Sequence, residues 1–200
     1  MQKTLLSTII VNVFDAFGQI HNIRALLDSG SQSTFITEKC VKRIGLQRKH
    51  ARFAVNGLGS KNAGFTKGAF ELKLRSSHDK SICVVVNAFV LTQLTSQLPS
   101  QIINVTHWSK LKNLQLADPS FNTPNEIDMI LGNDVFYEVI LPEQMKIDEG
   151  FFAQLTLFSW VLGGKYTQTP FDSSVSVFHT SISNNDDGLE ILQKFWELEK

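Results

Sequence analysis

The stretch Ala25-Leu26-Leu27-Asp28-Ser29-Gly30-Ser31-Gln32-Ser33-Thr34-Phe35-Ile36 constrains this chain more than any other, because an apolar strand runs into a carboxylate, a hydroxyl and a glycine before turning apolar again. A carboxylate at the end of a buried strand is costly unless something uses it. Ser29 can hydrogen-bond the turn, Gly30 admits close approach of backbone, and Asp28 is left facing whatever lies across the turn. Asp-Ser-Gly alone also makes ordinary surface turns, so the neighbouring segments must carry the argument.

Residues 5–14 and 20–27 are β-rich runs separated by Asp15-Ala16-Phe17-Gly18-Gln19, which predicts a hairpin whose second strand delivers Asp28. Thr37 is placed to cap a short helix with Ile36, Cys40, Val41 and Ile44 on one face, and Gly45 stands where a left-handed terminal residue is wanted. Residues 53–65 read as a hairpin with a glycine-rich tip, Gly57-Leu58-Gly59, whose return strand continues through 69–74. A phosphate loop does not fit there: Gly59 and Gly64 are followed by Phe65-Thr66 where a phosphate loop needs its Lys, and Asn62 occupies the third glycine position of the dinucleotide fingerprint. Residues 81–91 alternate with apolar groups on both faces, which places that strand centrally.

Residues 92–126 are irregular, with Pro99, Pro119 and Pro124 and one short helix expected over 108–114, and they read as an insertion on a β-scaffold. Chemistry is conceivable at Asp118 or His107, although an Asp before Pro is foremost a turn former. Residues 127–136, from Ile127 through Leu131-Gly132-Asn133-Asp134, repeat the pattern around Asp28: apolar strand, glycine, polar residues, helix. Residues 150–164 form a last β-rich stretch. Beyond it, 166–188 reads as a polar linker and Leu189, Leu192, Phe195, Trp196 and Leu198 as one face of a terminal helix, with Asp187 and Glu190 at capping-box spacing.

Composition narrows the function classes. Two hundred residues with 42% hydrophobic content suffice for one core domain, and a formal net charge of zero with dispersed Lys and Arg favours neither nucleic-acid nor membrane-surface binding. A protein or peptide partner is expected. Cys40 and Cys83 lie in apolar segments and read as buried free thiols of a reducing, hence cytoplasmic, compartment. The five histidines have no i,i+4 pairing, so no metal site is expected. The Asn104-Val105-Thr106 sequon matters only after secretion, and 1–17 reads as a strand rather than a signal peptide. No run approaches the roughly twenty apolar residues of a membrane span, so no membrane association is expected.

Taken in order, the Asp-Ser-Gly strand end, the glycine-tipped hairpin, the central strand and the Ile-Leu-Gly strand with its helix resemble the retropepsin-type aspartic peptidases. More closely, Asp28-Ser29-Gly30-Ser31-Gln32, Leu116-Ala117-Asp118-Pro119, residues 127–132 and Phe195-Trp196-Glu197-Leu198-Glu199 are similar to the peptidase region of Bel/Pao-type LTR retrotransposon polyproteins, over nearly the whole chain. The resemblance implies a mainly β fold with short helices, a retropepsin-like acid protease barrel with one lobe per chain. It implies a peptidase domain over 1–164 with an insertion at about 92–126, a flexible linker over 165–188 and a helix over 189–200 leading toward a reverse transcriptase. It further implies an aspartic endopeptidase with Asp28 catalytic and Ser29 and Gly30 forming the active-site turn. Gly57, Leu58 and Gly59 would form a substrate-covering flap, with Gln32, Leu131, Gly132 and Asn133 supporting the turn. No metal or organic cofactor is implied; the partners are a second copy of the chain and a polypeptide substrate, its own polyprotein.

The chain departs from the pattern in three places. Gln32 and Asn133 stand where viral retropepsins carry an acid and an arginine, and could exchange amide hydrogen bonds instead. Ser159 precedes Trp160 where the family more often has glycine, and the insertion has no counterpart in the compact viral enzymes. The alternative is a catalytically inactive or domesticated module acting in dimerisation or peptide binding, whose mark would be loss of Asp28 or of the hairpin glycines; both are retained.

Overall fold

A computed structural model describes residues 2–46, 49–57 and 62–167. Leu58 and Gly59 of the expected hairpin tip, all but the first three residues of the expected linker, and the expected helix over 189–200 lie outside the described residues.

Among the described residues twelve strands and two short α-helices follow one another: β1 (Gln2–Leu5), β2 (Thr8–Phe14), β3 (Ile20–Leu27), β4 (Thr34–Thr37), α1 (Glu38–Ile44), β5 (Ala54–Asn56), β6 (Asn62–Phe65), β7 (Ala69–Ser76), β8 (Cys83–Leu91), β9 (Met129–Leu131), α2 (Asn133–Val139), β10 (Ile140–Asp148), β11 (Phe151–Thr156) and β12 (Ser159–Thr167). The fold is mainly β, as expected. Six strands close into a barrel in the order β2-β3-β9-β4-β8-β7, and β1-β12-β11-β10 form a separate antiparallel sheet.

Period-two alternation explains the barrel. Ile9, Val11 and Val13 of β2, Ile23, Ala25 and Leu27 of β3, and Val84, Val86, Ala88 and Val90 of β8 all point into one buried cluster. α1 packs Cys40, Val41 and Ile44 against it, and its ends are as the sequence predicts: the Cys40 N–H donates to Thr37 Oγ1, and Gly45 adopts φ 66°. The second sheet has its own core, in which Trp108 stacks on Phe151 at 4.4 Å beside Tyr166.

The structure corrects several expectations. The run 5–14 is two strands: the chain breaks at Leu6-Ser7, β1 pairs with β12, and only β2 enters the barrel. β8 is apolar on both faces but buried on one, because its outer face is left uncovered at Cys83 and Val85. Cys83 is therefore an exposed thiol, whereas Cys40 is buried. The helix expected over 108–114 is a 3-10 turn, Ser109–Asn113. β10 has no clear sequence signature, since its pairing with β11 is interrupted between Ile140 and Gln144 and its side chains are largely exposed. β12 runs on through Thr167, and Tyr166, expected to open the linker, is buried in it.

Candidate active site

The two strands joined by the Asp28 turn are not neighbours. β9 lies between them, parallel to β3 with Leu27 opposite Leu131, and antiparallel to β4 with Phe35 opposite Ile130. The turn must therefore cross the end of β9, where Gly132 sits. A Cβ there would stand 2.3 Å from the Ser33 carbonyl oxygen and 2.9 Å from that of Ser31, so only glycine lets the two segments pass.

Hydrogen bonds lock the crossing from both sides. The Asp28 N–H donates to the Leu131 carbonyl at 3.0 Å and the Asn133 N–H to the Ser31 carbonyl at 2.7 Å. The fully buried Thr34 ties the remaining corner: its hydroxyl accepts from the Gly132 N–H at 3.2 Å and donates to Asp134 Oδ1 at 2.8 Å, while its N–H donates to Asp134 Oδ2 at 3.0 Å. Within the turn each Asp28 oxygen accepts one bond, Oδ1 from the Gly30 N–H at 3.0 Å and Oδ2 from Ser31 Oγ at 2.6 Å. The result is a half-buried carboxylate fixed in orientation by its own loop, with Ser29 and Gly30 exposed beside it.

Asp28, Ser29, Gly30, Leu131 and Gly132 thus come together, and Asn133 joins them through its backbone. The side-chain amide exchange considered for Gln32 and Asn133 is not made within the chain; both side chains are exposed and the connection runs through the Asn133 N–H. Gly57 follows the first strand of the hairpin, whose base is fixed where Phe53 and Thr66 exchange hydrogen bonds and Phe53 meets Phe89 edge-on at 5.6 Å. Leu58 and Gly59 lie outside the described residues.

Sequence reasoning missed Ser31, Thr34 and Asp134, whose roles depend on which strands meet at the crossing. It also undervalued Asp118. That carboxylate is buried, accepts from Arg24 Nε at 2.7 Å and Thr8 Oγ1 at 2.6 Å, and is bound by the Ser120 N–H and hydroxyl. Arg24 is buried as well, and its guanidinium donates to the carbonyls of Leu98 and Asn125. Asp128 lies alongside, held by Arg43 at 2.8 Å. His107 is exposed and lies edge-on to its neighbour Trp108, which is in the core of the second sheet. Among the described residues no three potential metal ligands gather.

The sequence model of a family described as aspartyl protease matches residues 11–135, which span β2 through the start of α2 and contain the whole crossing. The chain belongs to the aspartyl protease family. No curated protein matches it. Among solved structures, this aspartyl protease is similar to the EIAV protease complexed with the inhibitor HBY-793, at 14% identity over 66% of this chain and 86% of that one, with a TM-score of 0.34. It is also similar to a retropepsin-like aspartic protease from Rickettsia conorii, at 12% identity over 82% and 96% of the two chains and a TM-score of 0.32. The family match begins after β1 and ends before β10, so the sheet built from β1 and β10–β12 lies outside it.

Proposed function

We propose that this aspartyl protease is an endopeptidase of the retropepsin type and that Asp28 is its catalytic residue, acting as one of a pair contributed by two copies of the chain. The observation that carries the reading is the Asp28 carboxylate, immobilised through both oxygens on a turn that Gly132 and Thr34 lock in place. The sequence holds a single Asp-Ser/Thr-Gly, so one chain supplies one such carboxylate.

Two carboxylates across a two-fold axis cannot both ionise easily and share a proton. The ionised one takes a proton from a water molecule as its oxygen attacks the scissile carbonyl carbon. The protonated one donates to the carbonyl oxygen, and collapse of the tetrahedral species moves a proton onto the departing amine. Ser31 and the Gly30 N–H hold Asp28 in place, so the carboxylate is positioned before substrate arrives. The peptide lies extended across the turn, with the hairpin tip at Gly57, Leu58 and Gly59 closing over it. Ser29 and Gly30 shape the turn, Leu131 and Gly132 underlie it, and Asn133 anchors it. Gln32 and Asn133, exposed in the single chain, face the partner copy. The similarity to Bel/Pao polyproteins supports the chain's own polyprotein as substrate.

Incubating the full chain with a polyprotein segment, with and without a statine-type inhibitor, tests the proposal. Discrete, inhibitor-sensitive cuts that vanish in Asp28→Asn are expected. Intact substrate with wild-type chain, or cuts that persist in the variant, would overturn the assignment.

A further inference from the structure

The zero net charge of the chain is the sum of opposed segments. Residues 39–70 hold eight Lys or Arg and no Asp or Glu, whereas residues 168–200 hold six Asp or Glu against two Lys. Six of the eight cations lie among the described residues, and they divide by what they meet. Lys39 pairs with Glu126, Arg43 with Asp128, and Lys42 and Lys67 share Glu38. Lys49 and Arg52 meet no carboxylate among the described residues.

These groups gather at the base of the β5–β6 hairpin. A pocket of about 670 Å³ there is lined by Glu38, His50, Arg52, Phe65 and Lys67 among others. The Arg52 guanidinium lies over the Phe65 ring at 4.8 Å from its centre, which holds a planar fork of donors against a flat surface. Lys49 is fastened to the same region by two backbone bonds with Ala69, each 3.0 Å. Phe53 and Phe65 remain 58% and 50% exposed, so cationic and apolar surface stand side by side.

We propose that this surface docks the acidic segment 186–199 of the same chain, with Lys49 and Arg52 taking its carboxylates and the exposed rings taking its apolar side chains. The segment has the complementary chemistry: Asp186, Asp187 and Glu190 stand beside Leu189 and Leu192. It is also within reach. The nineteen residues from Thr167 at the end of β12 to Asp186 span up to about 60 Å, against roughly 40 Å for the diameter of a domain of this size. Covalent attachment holds it at an effective concentration that a separate acidic partner must exceed. Glu38, set among the cations, suits a peptide with intermittent charges better than a nucleic-acid backbone that brings a charge with every nucleotide.

The test follows, by fluorescence anisotropy, the binding of a labelled peptide with the sequence of residues 184–200 to the full chain. A full chain carrying Asp186→Lys, Asp187→Lys and Glu190→Lys is expected to bind the peptide about tenfold more tightly than wild type, because its own segment no longer competes. Adding Arg52→Glu or Lys49→Glu to that chain should weaken binding by about tenfold or more; both positions are exposed, and an unchanged circular dichroism spectrum confirms folding. Equal Kd values for wild type and the triple variant would overturn docking by the chain's own segment. Absence of binding, or binding indifferent to both Arg52→Glu and Lys49→Glu, would overturn the surface itself. An RNA oligonucleotide with the same number of negative charges that binds more tightly than the peptide, and is lost in Arg52→Glu, would assign the surface to nucleic acid and refute the proposal.

Discussion

Replacing Asp118 should be among the most damaging single changes outside the barrel core. Its side chain is inaccessible to solvent and accepts four hydrogen bonds, from Arg24, Thr8 and two groups of Ser120. Asp118→Ala leaves the Arg24 guanidinium buried with carbonyl partners but no counter-charge, and removing one member of a buried pair costs about 3–5 kcal/mol. Asp118→Asn is isosteric yet little better, because its NH2 must face donors on one side or the other. For a domain of this size each kcal/mol lowers Tm by about 2–4 °C, so a fall of roughly 10 °C is expected in thermal unfolding followed by circular dichroism. Arg24→Met combined with Asp118→Leu should recover most of the loss, since an apolar replacement of a buried pair is often neutral. A loss below about 1 kcal/mol in the single variant, read from urea unfolding, would refute the claim that this pair fixes the insertion to β3.

Gly132→Ala should prevent folding or remove the Asp28 crossing, because its Cβ would overlap the Ser33 carbonyl; soluble protein with unchanged Tm would contradict the strand order at the site. Burial, with the Asp128 charge adding to it, pushes the Cys40 thiol up to about 12, so a thiol reagent at pH 8 should find one reactive cysteine in native chain and two after denaturation. The sign of the linkage also follows: stability from the protonated Cys40 is complete below the ordinary thiol value of 9.0 and is lost as pH rises toward about 12, an effect that Cys40→Ala should abolish in alkaline unfolding curves. Ser159 holds φ 97° and donates to the Gln115 carbonyl, so Ser159→Ala should lose the bond and keep the strain while Ser159→Gly relieves it. Glycine should exceed alanine by about 1–2 kcal/mol in unfolding free energy, and equal stabilities would argue against the strain.

The parts of the site legible in sequence were those with local signatures. Asp28-Ser29-Gly30 after an apolar strand, the Thr37 cap with Gly45 closing α1, and the Leu131-Gly132 strand end all announce themselves within a few residues. What was not legible depends on distant partners. Asp118 reads as a turn former because it precedes Pro119, and its burial follows only from Arg24, whose position on β3 makes it the counter-charge. Thr34 and Asp134 look like ordinary polar residues until β9 is placed between β3 and β4. Cys83 belongs to an apolar run whose outer face is exposed at Cys83 and Val85, which local pattern cannot reveal. Ser159 marks the reverse case: a departure from glycine visible in the sequence, whose consequence, a positive φ, appears only at the first residue of β12 where the chain turns back from β11.

The central claim is that two Asp28 carboxylates from two chains make one active site. The most direct measurement mixes a fixed amount of wild-type chain with increasing Asp28→Asn chain and follows specific cleavage, with sedimentation run on the same samples. The account predicts activity that rises more steeply than linearly with wild-type concentration near the dimer dissociation constant, and that falls as inactive heterodimers form. Full specific activity from a dilute chain that sediments as a monomer, or cleavage by Asp28→Asn alone, would contradict it.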